Sequence, residues 1–473
     1  MNADSSAPLH FASLTDVASL IASRDISPVE LTRLMLERIE SIDGMLKSYA
    51  TVTADRALHE ARDAEAAIAA GNYRGPLHGM PIAVKDLCYT TDIPTMGGLA
   101  VKRDFVPDHD AKVVSRLKES GAVLLGKLNL TEGAMAGYHP DFDIPVNPWG
   151  AEYWSGASSS GSGVATAAGL CFAALGSDTG GSIRFPSMAN GIVGLKPTYG
   201  RVSRWGILPL GETLDHIGPM TRRTSDAAIM LQAIAGYDSN DPSSLQAPVP
   251  DMLGDLDAGV SGLRIGIDRH FASEGIHSGL AASIEDALEV LERLGATIID
   301  VEMPAGVHEI EGAWFAICSS EAFKAHAATF PSRADEYGPH FREFLEIGAA
   351  VTQDQYAAAT LQRNQFNEQF EAVLATTDAM VCPSGGFTFP VPPDIQYGNT
   401  EALGPVFDAV QMYCTVPADF AGTPTLTLPC GFSEKGLPYS FQFMGPRLSE
   451  PMLCRIGHAY EEATAWHDRH PPV

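Results

Sequence analysis

Two stretches rich in glycine and serine, Ser155–Gly163 (SGASSSGSG) and Gly176–Arg184 (GSDTGGSIR), flank a run of small apolar residues. A flexible linker shares the composition of the first stretch. A linker joins domains, however, and this segment runs straight into Ala- and Val-rich core sequence. Small residues set in a core imply close backbone approach and unusual φ/ψ, as a tight loop built for chemistry needs. In the second stretch, Gly180 and Gly181 before Ser182 let several backbone N–H groups point one way. Such a cluster can hold a developing oxyanion; a plain turn is the alternative.

The surrounding pattern alternates helices and strands. Ser27 and Pro28 form an N-cap and N1 pair that opens a helix to Leu46. Thr53–Ala70 is a second helix, ended by Gly71. Met80–Val84, Ala122–Leu125 and Phe172–Gly176 read as strands, with helices over Ala111–Glu119 and from Gly163. Residues 238–260 read as a surface loop. Leu263–Ile267, Ser278–Leu294 and Thr297–Val301 resume the strand–helix–strand rhythm. Residues 308–375 look mostly helical, 383–405 a long Pro- and Gly-rich loop, and Thr425–Leu428 and Ser440–Phe443 closing strands. This alternation predicts an α/β fold with a largely parallel sheet. No linker divides the 473 residues, so they read as one large domain, 1–473, with helices over 1–70 and a helical insertion.

Charge narrows the function classes. The net charge of −27 repels nucleic acid and anionic lipid, so neither is expected as a partner. Seven scattered cysteines with no CxxC argue against a zinc knuckle or a disulfide framework and fit a reducing cytoplasm. Met1–Ala7 lacks the basic-then-apolar pattern of a secretory signal, and no apolar run is long enough to span a membrane. No metal or cofactor is expected: HExxH is absent, and His467 and His470 sit at a terminus that reads as frayed. Gly121–Lys127 has Walker A spacing, but Leu128 stands where Ser or Thr would bind magnesium, and the intervening residues are strand-like. Ser115–Lys118 matches SxxK without its companion motifs.

A serine nucleophile needs a base. GxSxG is absent, and no histidine sits in a suggestive motif. A lysine kept neutral by burial is the other route, because desolvation disfavours the ammonium and lowers its pKa toward 7. Lys85 follows the apolar run Pro81–Val84 and is the candidate. A lysine ending a strand can also be a solvated cap.

Here the sequence resembles the amidase signature family. Gly79–Asp86 (GMPIAVKD) resembles that family's lysine motif; Ser158 follows in the Gly/Ser segment and Ser182 in GSDTGGSIRFPS, which leads into GIVGLKPTYGRVS. The likeness runs from about residue 10 to 465 and includes Gly121–Asn129, Leu214–Thr221, GTPTLTLPCGF and LPYSFQFMGP. The resemblance implies a large mixed, mostly parallel β-sheet covered by helices on both faces. It also implies a core at about 79–235 and an insertion at about 305–405 that helps form the substrate pocket. It implies Ser182 as nucleophile, Lys85 as base, and Ser158, in a cis peptide, as the bridge between them. The N–H groups of Thr179, Gly180, Gly181 and Ser182 would form the oxyanion hole, Asp178 and Arg184 would brace the loop, and Ala134 and Met135 would line the acyl site. Ala157 and Ser160 depart from the glycines common in the family, and Glu212 and Thr213 from its small serines.

The resulting expectation is a stand-alone amidase, monomeric or homodimeric. It would act with water on a small-molecule amide, carbamate (urethane) or ester, since all three pass through one tetrahedral intermediate. The second reading is the glutaminase component of a glutamine-dependent tRNA amidotransferase, its A subunit. Those proteins commonly carry paired arginines where this chain has Arg342 and Glu343. A third, an inactive scaffold, sits badly with an intact Lys, Ser and Ser.

Overall fold

Local signals set the first elements as read. In the computed structural model, which describes residues 8–473, the helix Pro28–Leu46 opens with a capping box. Ser27 Oγ accepts from the Glu30 N–H at 3.0 Å, and the Glu30 carboxylate accepts from the Ser27 N–H at 3.1 Å. The segment Met1–Ala7, considered above as a secretory signal and rejected, lies outside the described residues.

Eleven strands build one sheet: β1 Tyr49–Val52, β2 Pro81–Lys85, β3 Val123–Leu128, β4 Ala173–Asp178, β5 Val193–Lys196, β6 His216–Thr221, β7 Arg264–Ile267, β8 Thr297–Asp300, β9 Ala379–Pro383, β10 Thr425–Phe432 and β11 Pro438–Met444. Their order is β1-β3-β2-β4-β6-β5-β10-β11-β9-β7-β8. The α/β class and mixed sheet are as expected, but the parallel share is smaller. The pairs β2–β3, β2–β4, β7–β8 and β7–β9 are parallel; the other six are antiparallel. The reason lies in the connections. β10 and β11 form a hairpin, and β5 reaches β6 through an irregular segment with no crossover helix, which parallel neighbours would need.

Helices cover both faces of the sheet. Strand side chains alternate, so Thr427 of β10 faces away from Leu426 and Leu428. Leu426 and Leu428 lie beneath Gly457 of the helix Glu450–Glu462. Gly194 of β5, the cross-strand partner of Thr427, lies beneath Ser187 of the helix Arg184–Asn190, on the other face. The helix Ser160–Ala167 begins three residues before the expected Gly163, so the second half of the Gly/Ser segment, Ser160–Gly163, forms its first turn and Ser155–Ser159 lead into it. No helix of the described residues is long and apolar enough to cross a membrane. All seven cysteines are buried and unpaired.

Gly161 shows why that turn must be small. A Cβ there would lie 2.5 Å from the carbonyl oxygens of Asn129 and Ser48 and 2.6 Å from the Asn129 nitrogen. Backbone cannot yield as a side-chain tip can. Gly161→Ala is expected to cost about 1–3 kcal/mol of stability, read as a lowered urea midpoint. It should also depress turnover, because the displaced turn directly follows Ser158 and Ser159.

Candidate active site

Three lysines of the described residues are fully buried: Lys85, Lys127 and Lys196. Their partners differ in kind. Lys127 Nζ lies 3.1 Å from the Asp86 carboxylate and donates to Thr95 Oγ1 at 2.8 Å. This is the fate of the Walker-like lysine, locked in β3. Lys196 Nζ donates to the Thr423 carbonyl at 2.6 Å, and a carbonyl cannot give a proton back. Lys85 Nζ is held by hydroxyls alone: Ser158 Oγ at 2.6 Å, Ser159 Oγ at 2.8 Å and Ser177 Oγ at 2.8 Å. A hydroxyl can either accept or donate. Burial strips the ammonium of hydration and lowers the Lys85 pKa to about 7, against an upward pull from Asp178.

The sheet brings these groups together. β2 and β4 run parallel with Val84 opposite Leu175, which sets Lys85 beside the exit of β4 and Ser177. Ser158 precedes the helix Ser160–Ala167 across a cis Ala157–Ser158 bond, as the resemblance implied. Ser159 Oγ donates to the Ser177 carbonyl at 3.1 Å. Its proton is thereby used, so toward Lys85 it accepts. A neutral amine has two N–H donors and one lone pair. With Ser159 taking one N–H, the lone pair is left to a hydroxyl that can donate, Ser158 or Ser177. Ser159 and Ser177 were not singled out from the sequence; their link to Lys85 comes from strand register.

Ser182 enters from the loop after β4. Its carbonyl accepts from the Ser159 N–H at 3.3 Å, which seats it against the same turn. Its side chain is partly exposed, and among the described residues its hydroxyl has no hydrogen-bond partner. The loop is shaped by Asp178, fully buried on β4. This carboxylate accepts from the N–H of Gly181 (2.7 Å) and Ile183 (2.9 Å), and from Arg184 Nε (3.1 Å) and Nη2 (2.8 Å). Burial would raise its pKa, but the Arg184 guanidinium outweighs that and holds it well below the usual carboxylate range. Gly181 has φ 132°, a conformation that L side chains rarely adopt. One expectation changes here. The Gly181 N–H is engaged by Asp178, whereas those of Thr179, Gly180 and Ser182 have no partner among the described residues.

Beside Ser182 lies a narrow slot of about 50 Å³. Ala134 and Met135 line it, with Trp154, Phe185, Leu210, Trp314, Val406, Phe407 and Met412. No lining residue carries a charge. Of the segments expected to wall it, 308–375 supplies Trp314, and the short helix Gly404–Val410, not the loop before it, supplies Val406 and Phe407. Arg342 and Glu343 do not line the slot; Glu343 accepts from the Thr400 N–H at 2.9 Å. The SxxK lysine, Lys118, pairs with Asp110 on the protein's outer side.

Comparison with known proteins agrees with this architecture. A family model described as Amidase matches residues 30–454. AmiD of Mycobacterium tuberculosis (strain ATCC 25618 / H37Rv), named as a putative amidase, is 44% identical over 468 residues, 97% of this chain and 96% of that protein. The glutamyl-tRNA(Gln) amidotransferase of Rippkaea orientalis has an A subunit that is 37% identical over 491 residues, covering 98% of this chain and 100% of its own. The solved peptide amidase of Stenotrophomonas maltophilia superposes with a TM-score of 0.85 at 31% identity, covering 98% of both chains. The chain therefore belongs to the amidase signature family and is a hydrolase of amide C–N bonds.

Proposed function

We propose that the protein is a stand-alone amidase that cleaves a neutral amide with an apolar acyl group through an acyl-enzyme on Ser182. The observation that carries this reading is a fully buried lysine, bonded only to hydroxyls, two of them on the segment against which Ser182 is seated, with Ser182 itself lining an uncharged slot. Lys85 Nζ takes the proton of Ser158 Oγ as Ser158 takes that of Ser182 Oγ. The freed Ser182 oxygen attacks the substrate carbonyl. The tetrahedral oxyanion is met by the N–H groups of Thr179, Gly180 and Ser182, with Gly181 holding the loop through Asp178. The proton returns through Ser158 to the leaving nitrogen, the C–N bond breaks, and an acyl ester remains. Water attacks that ester by the same relay and releases the acid. Carbamates and esters fit the same steps, because only the leaving group changes.

The uncharged slot favours this reading over the glutaminase role in tRNA amidation. Glutamine as substrate brings an ammonium and a carboxylate, and burying either without a partner is costly. No cation or anion lines the slot to pair with them.

Ser182→Ala should lower turnover by about 10³-fold or more and abolish labelling by a fluorophosphonate probe; retained labelling at another serine would overturn the nucleophile. The proton relay needs Lys85 neutral, and protonation removes the base. kcat/KM is therefore expected to fall about tenfold per pH unit below a pKa of about 7. A flat profile from pH 5 to 9 with chemistry rate-limiting is incompatible with this base. Across p-nitroanilide, carbamate, ester and glutamine substrates, kcat/KM for the best apolar acyl compound should exceed that for glutamine by about a hundredfold or more. Strong glutaminase activity, or co-purification with the B component of a tRNA amidotransferase, would reverse the order of the two readings.

A further inference from the structure

The carbonyls of Thr179 and Gly180 are each held from outside the nucleophile loop. The indole Nε1–H of Trp314, on the helix Ile310–Ala325, donates to the Thr179 carbonyl at 2.8 Å. Thr415 Oγ1 donates to the Gly180 carbonyl at 2.7 Å. The Thr179–Gly180 peptide is trans, so its C=O and N–H point in opposite directions. Holding the carbonyl on the indole therefore fixes the aim of the Gly180 N–H on the other side of the peptide plane. That N–H has no partner among the described residues. The ring also presses on the same residue: a Cβ at Gly180 would lie 2.6 Å from Trp314 Cζ2 and 2.8 Å from Cε2.

We infer that Trp314 is a positioning residue for amide hydrolysis: its indole N–H sets the Thr179–Gly180 peptide so that the Gly180 N–H meets the oxyanion. This rests on the reading of Ser182 as nucleophile. Trp314 is 4% exposed and also walls the slot, so shape and hydrogen bonding must be separated. Filling the slot acts on substrate and transition state alike and moves KM. Aiming an oxyanion donor acts when charge develops and moves kcat.

Two variants make the separation. Trp314→Phe keeps an aromatic wall and removes the donor. Site-specific replacement of Trp314 by benzothienylalanine keeps the bicyclic shape and puts sulfur in place of the N–H, which guards against a folding defect in the first variant. Both are expected to lower kcat by about tenfold to a hundredfold, with KM within about twofold of wild type. Inhibition by an aryl trifluoromethyl ketone, which places an oxyanion on the attacked carbon, should weaken by the same factor as kcat/KM. Wild-type kcat in the benzothienylalanine protein, or a change confined to KM, overturns the inference and leaves Trp314 a wall. If instead the wild type resists the ketone and Ser182→Ala keeps its turnover, it is the Ser182 reading that fails.

Discussion

The fork of hydrogen bonds between Arg184 and Asp178 holds the loop that carries Ser182 in shape. Arg184 is fully buried, reaches Asp178 with two nitrogens, and also engages Asp419 at 2.5 Å and the Thr415 carbonyl at 2.7 Å. One guanidinium thus ties the end of β4 to the helix Val416–Ala421, far along the chain. Asp178 spends its remaining capacity on the N–H groups of Gly181 and Ile183, which bends the backbone around Ser182. Removing one partner of such a buried set leaves an uncompensated charge and costs about 3–5 kcal/mol. The loop keeps its turn because unbending it would strand these charges.

Around that loop, the sheet performs a chemical selection among buried lysines. Burial alone does not distinguish these side chains: Lys127 and Lys196 are as hidden as Lys85, and their partners differ. A carboxylate partner stabilises the charged form, and a carbonyl can only accept. Hydroxyl partners leave the lone pair something to take. The slot beside Ser182 has no charged lining residue, and Trp154, Phe185, Trp314 and Phe407 give it flat apolar walls.

Much of this was legible from residue order. Lys85, Ser158 and Ser182 stand in motifs whose small residues and spacing are unusual enough to identify, and the structure brings Lys85 and Ser158 within 2.6 Å. Ser159 and Ser177 were not legible, because their contact with Lys85 follows from the pairing of β2 with β4 rather than from any local pattern. Trp314 gave no signal either, since its partner Thr179 is 135 residues away. Gly181 resembles one more oxyanion donor until the Asp178 side chain is placed. β5, β6 and β9 escaped the reading because they are short and, being buried, show little alternation, and β1 because it is only four residues long. Missing β5 and β6 is what made the sheet look more parallel than it is.

The strand order carries a consequence for biosynthesis. The last two strands do not sit at an edge: β10 and β11 lie between β5 and β9, near the middle of the sheet. Until the ribosome has made them, β5 and β9 present two open backbone edges that no other strand can occupy. Such edges invite pairing with neighbouring nascent chains. The hairpin works as a keystone, closing the vault last, and a chain halted before Thr425 would be left as two half-sheets exposed to chaperones and proteases.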